Sequence, residues 1–304
     1  MNQPRTCHRP CSPFHKSGIL ILLTCLSLTA CRPASQQPAI PKSPARIVSL
    51  APSLTEIVCA LGAGNLLVGR TSVCNYPPDI LTNVPVIGDF GVPSTELLLT
   101  AKPSLIIDVA LADESISQRF SSLGLRRERV PCQRLDDIPG ALETIGQMVA
   151  NTAKAQDLAR HLRTEIARLR QAATNQTRRP TIFIEIWNDP FYTVGSNSFL
   201  SELIYLAGGR NIGDEIDREY YQVSSEWVVA RNPDIIFCFY MTGDTSPRNG
   251  VMSRTGWATV SAVRNGRVYA GFDNDILLRP GPRVLAGIAA LRKAINTPPP
   301  VTHQ

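Results

Sequence analysis

The chain has 304 residues, of which 43% are hydrophobic and 18% charged, a balance typical of a folded protein and not of a disordered one. Its formal net charge is +6 at neutral pH, but no basic block with interleaved aromatic residues is present, so nucleic-acid binding is not indicated. At this length two domains are the natural expectation.

The first 30 residues have the pattern of an export signal. Three basic residues and no acidic one precede an apolar run from residue 19 to residue 30, which is too short for a permanent anchor. The run ends in Leu-Thr-Ala-Cys31, which resembles the lipobox of bacterial lipoproteins, so we predict that Cys31 carries lipid. The alternative is an ordinary signal peptide with an incidental Cys. Removal of residues 1–30 leaves 28 basic and 25 acidic residues, a balance of +3.

Four cysteines follow the predicted lipidation site, namely Cys59, Cys74, Cys132 and Cys238. In an exported, oxidising setting they allow three pairings, and the sequence does not choose among them. Cys59 and Cys238 lie in apolar runs that are typical of core residues. No C-x-x-C occurs after the signal, so neither a zinc site nor a redox motif is indicated.

Residues 31–44 are rich in Pro, Ser and Gln and predict a flexible tether, followed by a first α/β lobe over residues 45–136. Its predicted strands are Arg46–Leu50, Leu66–Thr71, Leu105–Asp108 and Arg129–Cys132, and its predicted helices are Pro52–Leu61, one from Ser94, and Glu114–Leu123. Strands that alternate with helices indicate a parallel sheet covered on both faces.

A 3.6-residue apolar period runs from about Ile138 to Ala173 without an internal Pro, and predicts one long amphipathic helix within a connecting segment, residues 137–178. A second α/β lobe is expected over residues 179–297, followed by a tail, residues 298–304. Its predicted strands are Thr181–Ile186, Asp234–Phe237 and Arg267–Ala270, and its helices are Phe199–Ala207, Ser224–Arg231 and Pro282–Ile295. The expected fold is therefore α/β, with two Rossmann-like lobes joined by one long rigid helix and a ligand cleft between the lobes.

Two segments of the chain repeat one phrase. Residues 94–107 read STELLLTAKPSLII, and residues 224–237, which begin 130 positions later (224 minus 94), read SSEWVVARNPDIIF. The Ser that opens each segment can cap a helix, with Glu96 or Glu226 in the first turn near the positive end of the helix dipole. The two halves thus present equivalent acidic helix tips, a pattern that favours a two-lobed binding protein over a single-site enzyme.

Nine segments occur in an order that identifies a family. They are RIVSLAPSLTE (46–56), CNYPP (74–78), the first repeated phrase, the long helix, DPFYTVG (189–195), AGGRNI (207–212), the second phrase, GWATVSAVRNGRVY (256–269) and RPGPR (279–283). This order resembles the helical-backbone class of periplasmic substrate-binding proteins, which feed ATP-driven importers of cobalamin, haem and ferric siderophores. The resemblance covers about residues 45–296. The C-N-Y-P-P turn and the D-x-x-x-R-P-G-P-R ending resemble the vitamin B12-binding proteins within that class.

The resemblance implies a corrinoid ligand. It places the contacts at Val73 and at five consecutive residues, Asp275, Ile276, Leu277, Leu278 and Arg279. The family often has an aromatic residue where Val73 stands, so a different corrinoid or another ligand stays open. Asp275 and Arg279 offer polar groups to corrin amides or ligand carboxylates, and the alternative is a local ion pair in a loop.

Aromatic residues add to the candidate ligand site. Phe90 lies six residues before Glu96, and Tyr220 lies six before Glu226, so the repeat would bring the two rings toward the cleft from opposite lobes. Trp187 follows the first strand of the second lobe, and Tyr76 lies in the C-N-Y-P-P turn; both complete the candidate set. The alternative for these aromatic residues is core or loop packing.

The resemblance also gives Glu96 and Glu226 a role, since glutamates at these positions dock onto arginines of a permease dimer that works with ATPase subunits. The implied protein is a monomer without cofactor or enzymatic activity, held at the membrane by lipid on Cys31. The alternative role for both glutamates is stabilisation of the helix dipole, worth about 0.3–1 kcal/mol each.

Haem is the first alternative ligand within the class. The single His of the globular part, His161, lies on the connecting helix and is expected to be exposed, while Tyr76, Tyr220 or Tyr221 could supply a phenolate to iron. Ferric siderophores are a further alternative, which Arg279 and Arg283 keep open.

A remote alternative of another class is an exported α/β hydrolase. The sequence contains no G-x-S-x-G, no H-E-x-x-H and no G-x-x-x-x-G-K-[ST], so it lacks the common motifs for a nucleophilic Ser, a zinc protease or a bound phosphate. ATP hydrolysis would then belong to a partner subunit.

Overall fold

The computed structural model describes residues 45–110, 113–240 and 246–298. The signal segment, Cys31 and the tether lie outside the described residues. In the part of the chain that the structure describes, no helix is long and apolar enough to cross a lipid bilayer.

The first lobe is built on a parallel sheet whose strands alternate with helices along the chain. Its elements are β1 (Ile47–Ser49), α1 (Pro52–Ala60), β2 (Leu67–Arg70), α2 (Pro78–Leu81), β3 (Gly88–Asp89), β4 (Val92–Pro93), α3 (Thr95–Ala101), β5 (Leu105–Asp108), α4 (Glu114–Ser122) and β6 (Arg127–Arg129). The main sheet has the order β2-β1-β5-β6, and β3 and β4 form a separate antiparallel hairpin. All residues of β1 and β5 are buried, as expected for central strands covered by helices on both faces.

Two helices, α5 (Asp137–Met148) and α6 (Thr152–Thr174), connect the lobes. The 23-residue helix α6 confirms a long connecting helix, but its predicted start near Ile138 is wrong, because residues 137–148 form a helix of their own. One core cluster of buried side chains runs from β1 and α1 through α5 and α6 into the second lobe. The lobes therefore share packed side chains in addition to the chain connection.

The break between α5 and α6 is a Schellman motif. Ala150 takes the left-handed conformation with φ of 55°, the N–H of Asn151 donates to the carbonyl of Gly146 (2.8 Å), and the N–H of Ala150 donates to the carbonyl of Gln147 (3.3 Å). This left-handed position is most often Gly. Since an Ala fills it here, the sequence carries no glycine signal for the end of α5.

The second lobe repeats the parallel sheet and adds an antiparallel one. Its elements are β7 (Thr181–Glu185), β8 (Trp187–Asn188), β9 (Phe191–Val194), α7 (Phe199–Ala207), β10 (Arg210–Asn211), β11 (Tyr220–Gln222), α8 (Ser225–Arg231), β12 (Ile235–Cys238), α9 (Pro247–Met252), α10 (Ser261–Arg264), β13 (Val268–Tyr269), α11 (Asn274–Leu277) and α12 (Val284–Asn296). The parallel sheet has the order β10-β7-β12-β13, and the antiparallel sheet has the order β11-β9-β8. The sequence predictions did not include the antiparallel sheet.

The repeated phrase occupies equivalent places in the two lobes. The hydroxyl of Ser94 accepts a hydrogen bond from the N–H of Leu97, and the hydroxyl of Ser224 accepts one from the N–H of Trp227. Helices α3 and α8 both end on a left-handed residue, Lys102 with φ of 45° and Asn232 with φ of 43°. Strands β5 and β12 then take the third place in their sheets.

Strand β6 begins two residues and ends three residues earlier than predicted. The prediction followed the apolar residues Val130 and Cys132, but the strand consists of Arg127, Glu128 and Arg129, paired with β5. Because β6 is an edge strand, its charged side chains can reach solvent while the backbone pairs.

The four cysteines after the tether are free and buried, so none of the three possible pairings is formed. Burial raises the pKa of the Cys59 thiol to about 11 and that of the Cys132 thiol to about 12. Both thiols therefore stay protonated at neutral pH, which makes them packing residues and poor nucleophiles.

Candidate functional site

A cavity of about 690 Å³ lies between the two lobes, a size in the range of small-molecule sites. The first lobe contributes Val73, Phe90 and Val109 to its wall, among others. The second lobe contributes Tyr220, Leu278 and Arg279. Five residues of the predicted ligand-binding set thus share this cavity, namely Val73, Phe90, Tyr220, Leu278 and Arg279.

Phe90 is presented at the tip of the β3–β4 hairpin, where 52% of it is exposed. The hairpin loop consists of Phe90 and Gly91, and Gly91 has a φ of 72°, which a two-residue loop commonly requires. A Cβ on Gly88 would lie 2.7 Å from the Cα of Pro93, so only Gly lets the two strands of the hairpin approach this closely. The local sequence therefore holds an apolar ring outward at the cleft.

Tyr220 begins the edge strand β11 opposite Val194 of β9 and is 46% exposed. Partial burial and the neighbouring carboxylate of Glu219 raise the pKa of the Tyr220 hydroxyl to about 12. Burial likewise raises the pKa of Tyr221 to about 12. Both phenols are therefore neutral at neutral pH in the ligand-free protein.

Val73 lies in a turn that a buried neighbour anchors. The Sγ of Cys74 is fully buried and accepts a hydrogen bond from the hydroxyl of Thr55 (3.2 Å), and the guanidinium of Arg70 donates to the carbonyl of Cys74 (2.7 Å). Val73 is 39% exposed, so its side chain is available at the cavity wall.

Asp275 and Arg279 pair with each other, with Nη2 of Arg279 at 2.6 Å from Oδ1 of Asp275. The local ion pair is thus present, and Arg279 also lines the cavity. Leu277 requires a correction, because it is 1% exposed and packs in the core, so its side chain cannot contact a ligand in the cleft. Ile276 is partly exposed, with its side chain close to Gly287 of α12.

Tyr76 and Trp187 do not belong to the described lining of this cavity. The ring of Tyr76 is covered by the guanidinium of Arg283, whose Cζ lies 3.7 Å from the ring centroid. The indole N–H of Trp187 donates to the carbonyl of Asp189 (2.9 Å), and the ring packs edge-on against Tyr240 at 6.4 Å between centroids. For both residues, local contacts account for the position of the ring.

A buried ion pair joins the lobes beside the cavity. The guanidinium of Arg283 donates to both carboxylate oxygens of Glu56 on α1, at 2.8 and 2.7 Å, and the side chain of Glu56 is 4% exposed. The Glu56 carboxylate raises the pKa of the Arg283 guanidinium above its usual value. The Sγ of Cys132 donates to the carbonyl of Pro280 (3.2 Å), a second contact to the same R-P-G-P-R segment.

Five polar residues of the cavity were missed by the sequence analysis, namely Ser53, Gln133, Arg134, Asn197 and Glu219. Arg134 and Asn197 follow predicted elements at loop positions without a distinguishing pattern. Glu219 could have been found from its position directly before Tyr220, since a charged neighbour of a cleft aromatic is a natural polar contact.

A second cavity of about 580 Å³ lies within the second lobe, with Phe191, Tyr240 and Arg254 in its wall. Arg254 donates to both carboxylate oxygens of Glu185, at 2.8 and 2.9 Å, and the hydroxyl of Tyr240 donates to the same carboxylate (2.6 Å). These groups satisfy one another, and no residue of the first lobe lines this cavity among the described residues.

Glu96 and Glu226 are both exposed in the first turn of their helices, α3 and α8. Hydrogen bonds from its own backbone N–H and from the hydroxyl of Ser224 hold the pKa of the Glu226 carboxyl below its ordinary value. The surroundings of the two glutamates differ: Leu97 is 44% exposed beside Glu96, whereas Arg231 covers the ring of Trp227 beside Glu226.

Metal-ligating side chains do not cluster in the described ranges, where no group of three or more His, Cys, Asp or Glu is placed to hold an ion. His161 is exposed on α6, as the sequence predicted.

Comparisons with known proteins agree with this architecture. The family model described as periplasmic binding protein matches residues 47–273. The uncharacterized ABC transporter substrate-binding lipoprotein YvrC of Bacillus subtilis is 30% identical over 270 residues, which cover 86% of this chain and 83% of that protein. The vitamin B12-binding protein of Vibrio cholerae is 34% identical over 245 residues, which cover 80% of this chain and 86% of that protein.

Two solved structures of proteins that are named for different ligands have the same fold. The periplasmic heme-binding protein RhuT from Roseiflexus sp. RS-1 matches with a TM-score of 0.73 at 28% identity, covering 83% of this chain and 98% of that one. The periplasmic vitamin B12 binding protein BtuF of Vibrio cholerae matches with a TM-score of 0.70 at 31% identity, covering 83% and 97%. The fold and the cleft thus define a two-lobed ligand-binding protein. The chain belongs to the periplasmic binding protein family.

The ion pair between Glu56 and Arg283 predicts a large effect on stability. Glu56→Ala leaves the Arg283 guanidinium, whose side chain is 20% exposed, with only its longer contact to Asp273 (3.6 Å), so we expect the free energy of unfolding to fall by about 3 kcal/mol. Urea unfolding followed by circular dichroism measures this loss. Glu143→Ala is the matched control, because its pair with Arg163 is exposed and should contribute less than about 1 kcal/mol. Equal losses for the two variants would contradict a special role for the buried pair.

Proposed function

We propose that this chain is an extracytoplasmic substrate-binding lipoprotein that captures cobalamin or a related corrinoid and delivers it to an ABC importer. The observation that carries the proposal is the inter-lobe cavity, whose wall holds one exposed aromatic ring from each lobe, Phe90 and Tyr220. A flat macrocycle can be covered on both faces by such rings, which bury much apolar area at low rotamer cost.

Arg279 of the cavity wall, with Asp275 beside it, suits the polar edge of a corrin ring. Arg279 lines the cavity, and Asp275 is hydrogen-bonded to it. A corrin carries amide side chains, which both donate and accept, so a carboxylate and a guanidinium side by side can serve the two halves of an amide. The identity to the vitamin B12-binding protein of Vibrio cholerae supports the same ligand class.

Haem is the second candidate, favoured by the likeness to a heme-binding structure. Two observations count against it in this cleft. The ring of Tyr76 is covered by Arg283, and His161 is exposed on α6 away from the cavity residues.

Ligand identity is tested by titration of the purified protein with cyanocobalamin, cobinamide and haemin. We expect micromolar or tighter calorimetric binding of a corrinoid and no shift of the visible haemin spectrum. Phe90→Ala and Tyr220→Ala should each weaken corrinoid binding about tenfold, because each removes one covering ring. Tyr205→Ala is the matched control, since Tyr205 is equally exposed at 43% on α7 but is not among the cavity residues. Binding of haemin without binding of either corrinoid would contradict the corrinoid proposal and would identify haem as the ligand.

Glu96 and Glu226 are proposed as the contacts to the permease dimer, because the repeat places two equivalent exposed carboxylates on the two lobes. Two acidic tips match a partner with two-fold symmetry, and complementary charge sets orientation. The two carboxylates have different surroundings. An exposed apolar side chain, Leu97, lies beside Glu96, whereas the Trp227 ring and the Arg231 cation lie beside Glu226.

Docking is tested with Glu96→Ala combined with Glu226→Ala. Corrinoid uptake by cells should be lost while calorimetric affinity stays the same, because neither residue lines the cavity. Glu114→Ala is the control, since Glu114 is also an exposed acid in the first turn of a helix, α4. Loss of affinity in the double variant would contradict the docking role and would indicate that Glu96 or Glu226 contributes to ligand binding.

Cys31 is proposed as the lipid attachment site that holds the protein at the membrane surface. Cys31→Ala should move the protein from the membrane fraction to the soluble fraction of fractionated cells, because one modified residue carries the whole anchor. Ligand affinity should not change. Retention of Cys31→Ala in the membrane fraction would contradict the lipid anchor.

A further inference from the structure

Asn75, in the turn after β2, reaches across the cleft to the second lobe. Its Nδ2 donates to Oδ2 of Asp275 (2.6 Å), and its Oδ1 accepts from Nη1 of Arg279 (2.9 Å). The partners are 200 and 204 positions away in the chain. Only this orientation of the amide satisfies both partners, since a carboxylate accepts and a guanidinium donates.

The three side chains form a closed ring of polar contacts. Nη2 of Arg279 lies 2.6 Å from Oδ1 of Asp275, so each of the three groups contacts the other two. Arg279 has five N–H donors, and it uses one from each terminal nitrogen in this ring. Its side chain is 21% exposed and lines the cavity, so the ring fixes the plane of a guanidinium that faces the ligand space.

The backbone that carries Asn75 is itself held on both sides. Cys74 is buried and takes the hydrogen bond of the Arg70 guanidinium on its carbonyl. Tyr76 lies beneath Arg283, which is anchored on Glu56. Asn75 therefore starts from a fixed position, although its own side chain is exposed. A fixed partner is what preorganisation of a long side chain such as Arg279 requires.

We propose that Asn75 is a positioning residue for ligand binding: together with Asp275, it holds Arg279 in the orientation in which Arg279 meets polar groups of a corrinoid. The inference rests on the proposed function. Neither Asn75 nor Asp275 lines the described cavity, so Asn75 acts through Arg279, which does, rather than by touching the ligand. It also makes this part of the site depend on both lobes at once, because the turn and the D-x-x-x-R segment belong to different lobes.

The charge around Asn75 makes one substitution informative. The charged or titratable groups nearby are Asp275 and Arg279 in direct contact, Arg283 with Glu56 and Asp273 around Tyr76, and Arg70 behind the turn. Asn75→Asp keeps an acceptor for Arg279 but faces Asp275 with a second carboxylate. Two adjacent carboxylates do not both ionise readily, and in mildly acid solution they share one proton, which restores the missing donor.

The test is calorimetric titration of cyanocobalamin into four proteins: the unmodified chain, Asn75→Ala, Asn75→Asp and the control Asn175→Ala, an exposed Asn at the end of α6. Asn75→Ala should weaken binding about tenfold at every pH, because Arg279 loses one of its two partners and keeps only Asp275. Asn75→Asp should be weakened at pH 7.5 and regain affinity near pH 5. A role in folding alone would not produce this pH-dependent rescue. Equal affinity of the unmodified chain and Asn75→Ala would overturn the proposal.

A ligand-free measurement separates failure of this proposal from failure of the proposed function. If the unmodified chain does not bind cyanocobalamin, the proposed ligand is wrong. The positioning role of Asn75 is then tested by the NMR signals of the Arg279 guanidinium. Its Nη nuclei should give separate, slowly exchanging NMR signals in the unmodified chain and in Asn175→Ala, and averaged signals in Asn75→Ala. The same Arg279 signals in all three proteins would contradict a positioning role.

Discussion

The ion pair between Glu56 and Arg283 is the interaction on which the geometry of the cleft depends. It joins a helix of the first lobe to the start of α12 in the second, and Glu56 is buried. A buried carboxylate must be paired, so the R-P-G-P-R segment has to meet α1 in every folded molecule. Arg283 then covers Tyr76, and Arg279 meets Asn75. This one ion pair thus fixes the position of one wall of the cavity relative to the other.

Helices α5 and α6 and the shared core also hold the two lobes together. Side chains from both lobes belong to one buried cluster, so the lobes cannot separate widely without exposing apolar surface. A cleft that is largely preformed loses little free energy to ordering when it binds a ligand. This suits a carrier, which must hold its ligand specifically and release it when a partner shifts the lobes slightly.

The sequence predicted those features that depend on local pattern. The repeated phrase predicted capped helices and buried strands in both lobes, because each of these has a residue signature, whereas the left-handed residues that end both helices were seen only in the structure. It also led to Phe90 and Tyr220, which do share the cavity. The end of α5 was missed because Ala150 fills a position where Gly is the usual signal. Leu277 was carried over within a run of five residues, although its side chain points into the core.

Contacts between distant parts of the chain could not be predicted in this way. Nothing in the sequence near Asn75 shows that it meets Asp275, 200 positions away. Arg134 and Asn197 reach the cavity only because the two lobes fold against each other. Trp187 was predicted as a ligand contact because it is an aromatic residue after the first strand of the second lobe. The antiparallel sheet, which no sequence pattern indicated, places it beside Tyr240 instead.

A crystal structure of the protein with cyanocobalamin tests the central claim most directly. The account predicts the corrin ring in the inter-lobe cavity, between Phe90 and Tyr220, with amide side chains at Arg279. A corrinoid bound in the cavity of the second lobe beside Arg254, or on the outer surface with the inter-lobe cavity empty, would contradict it.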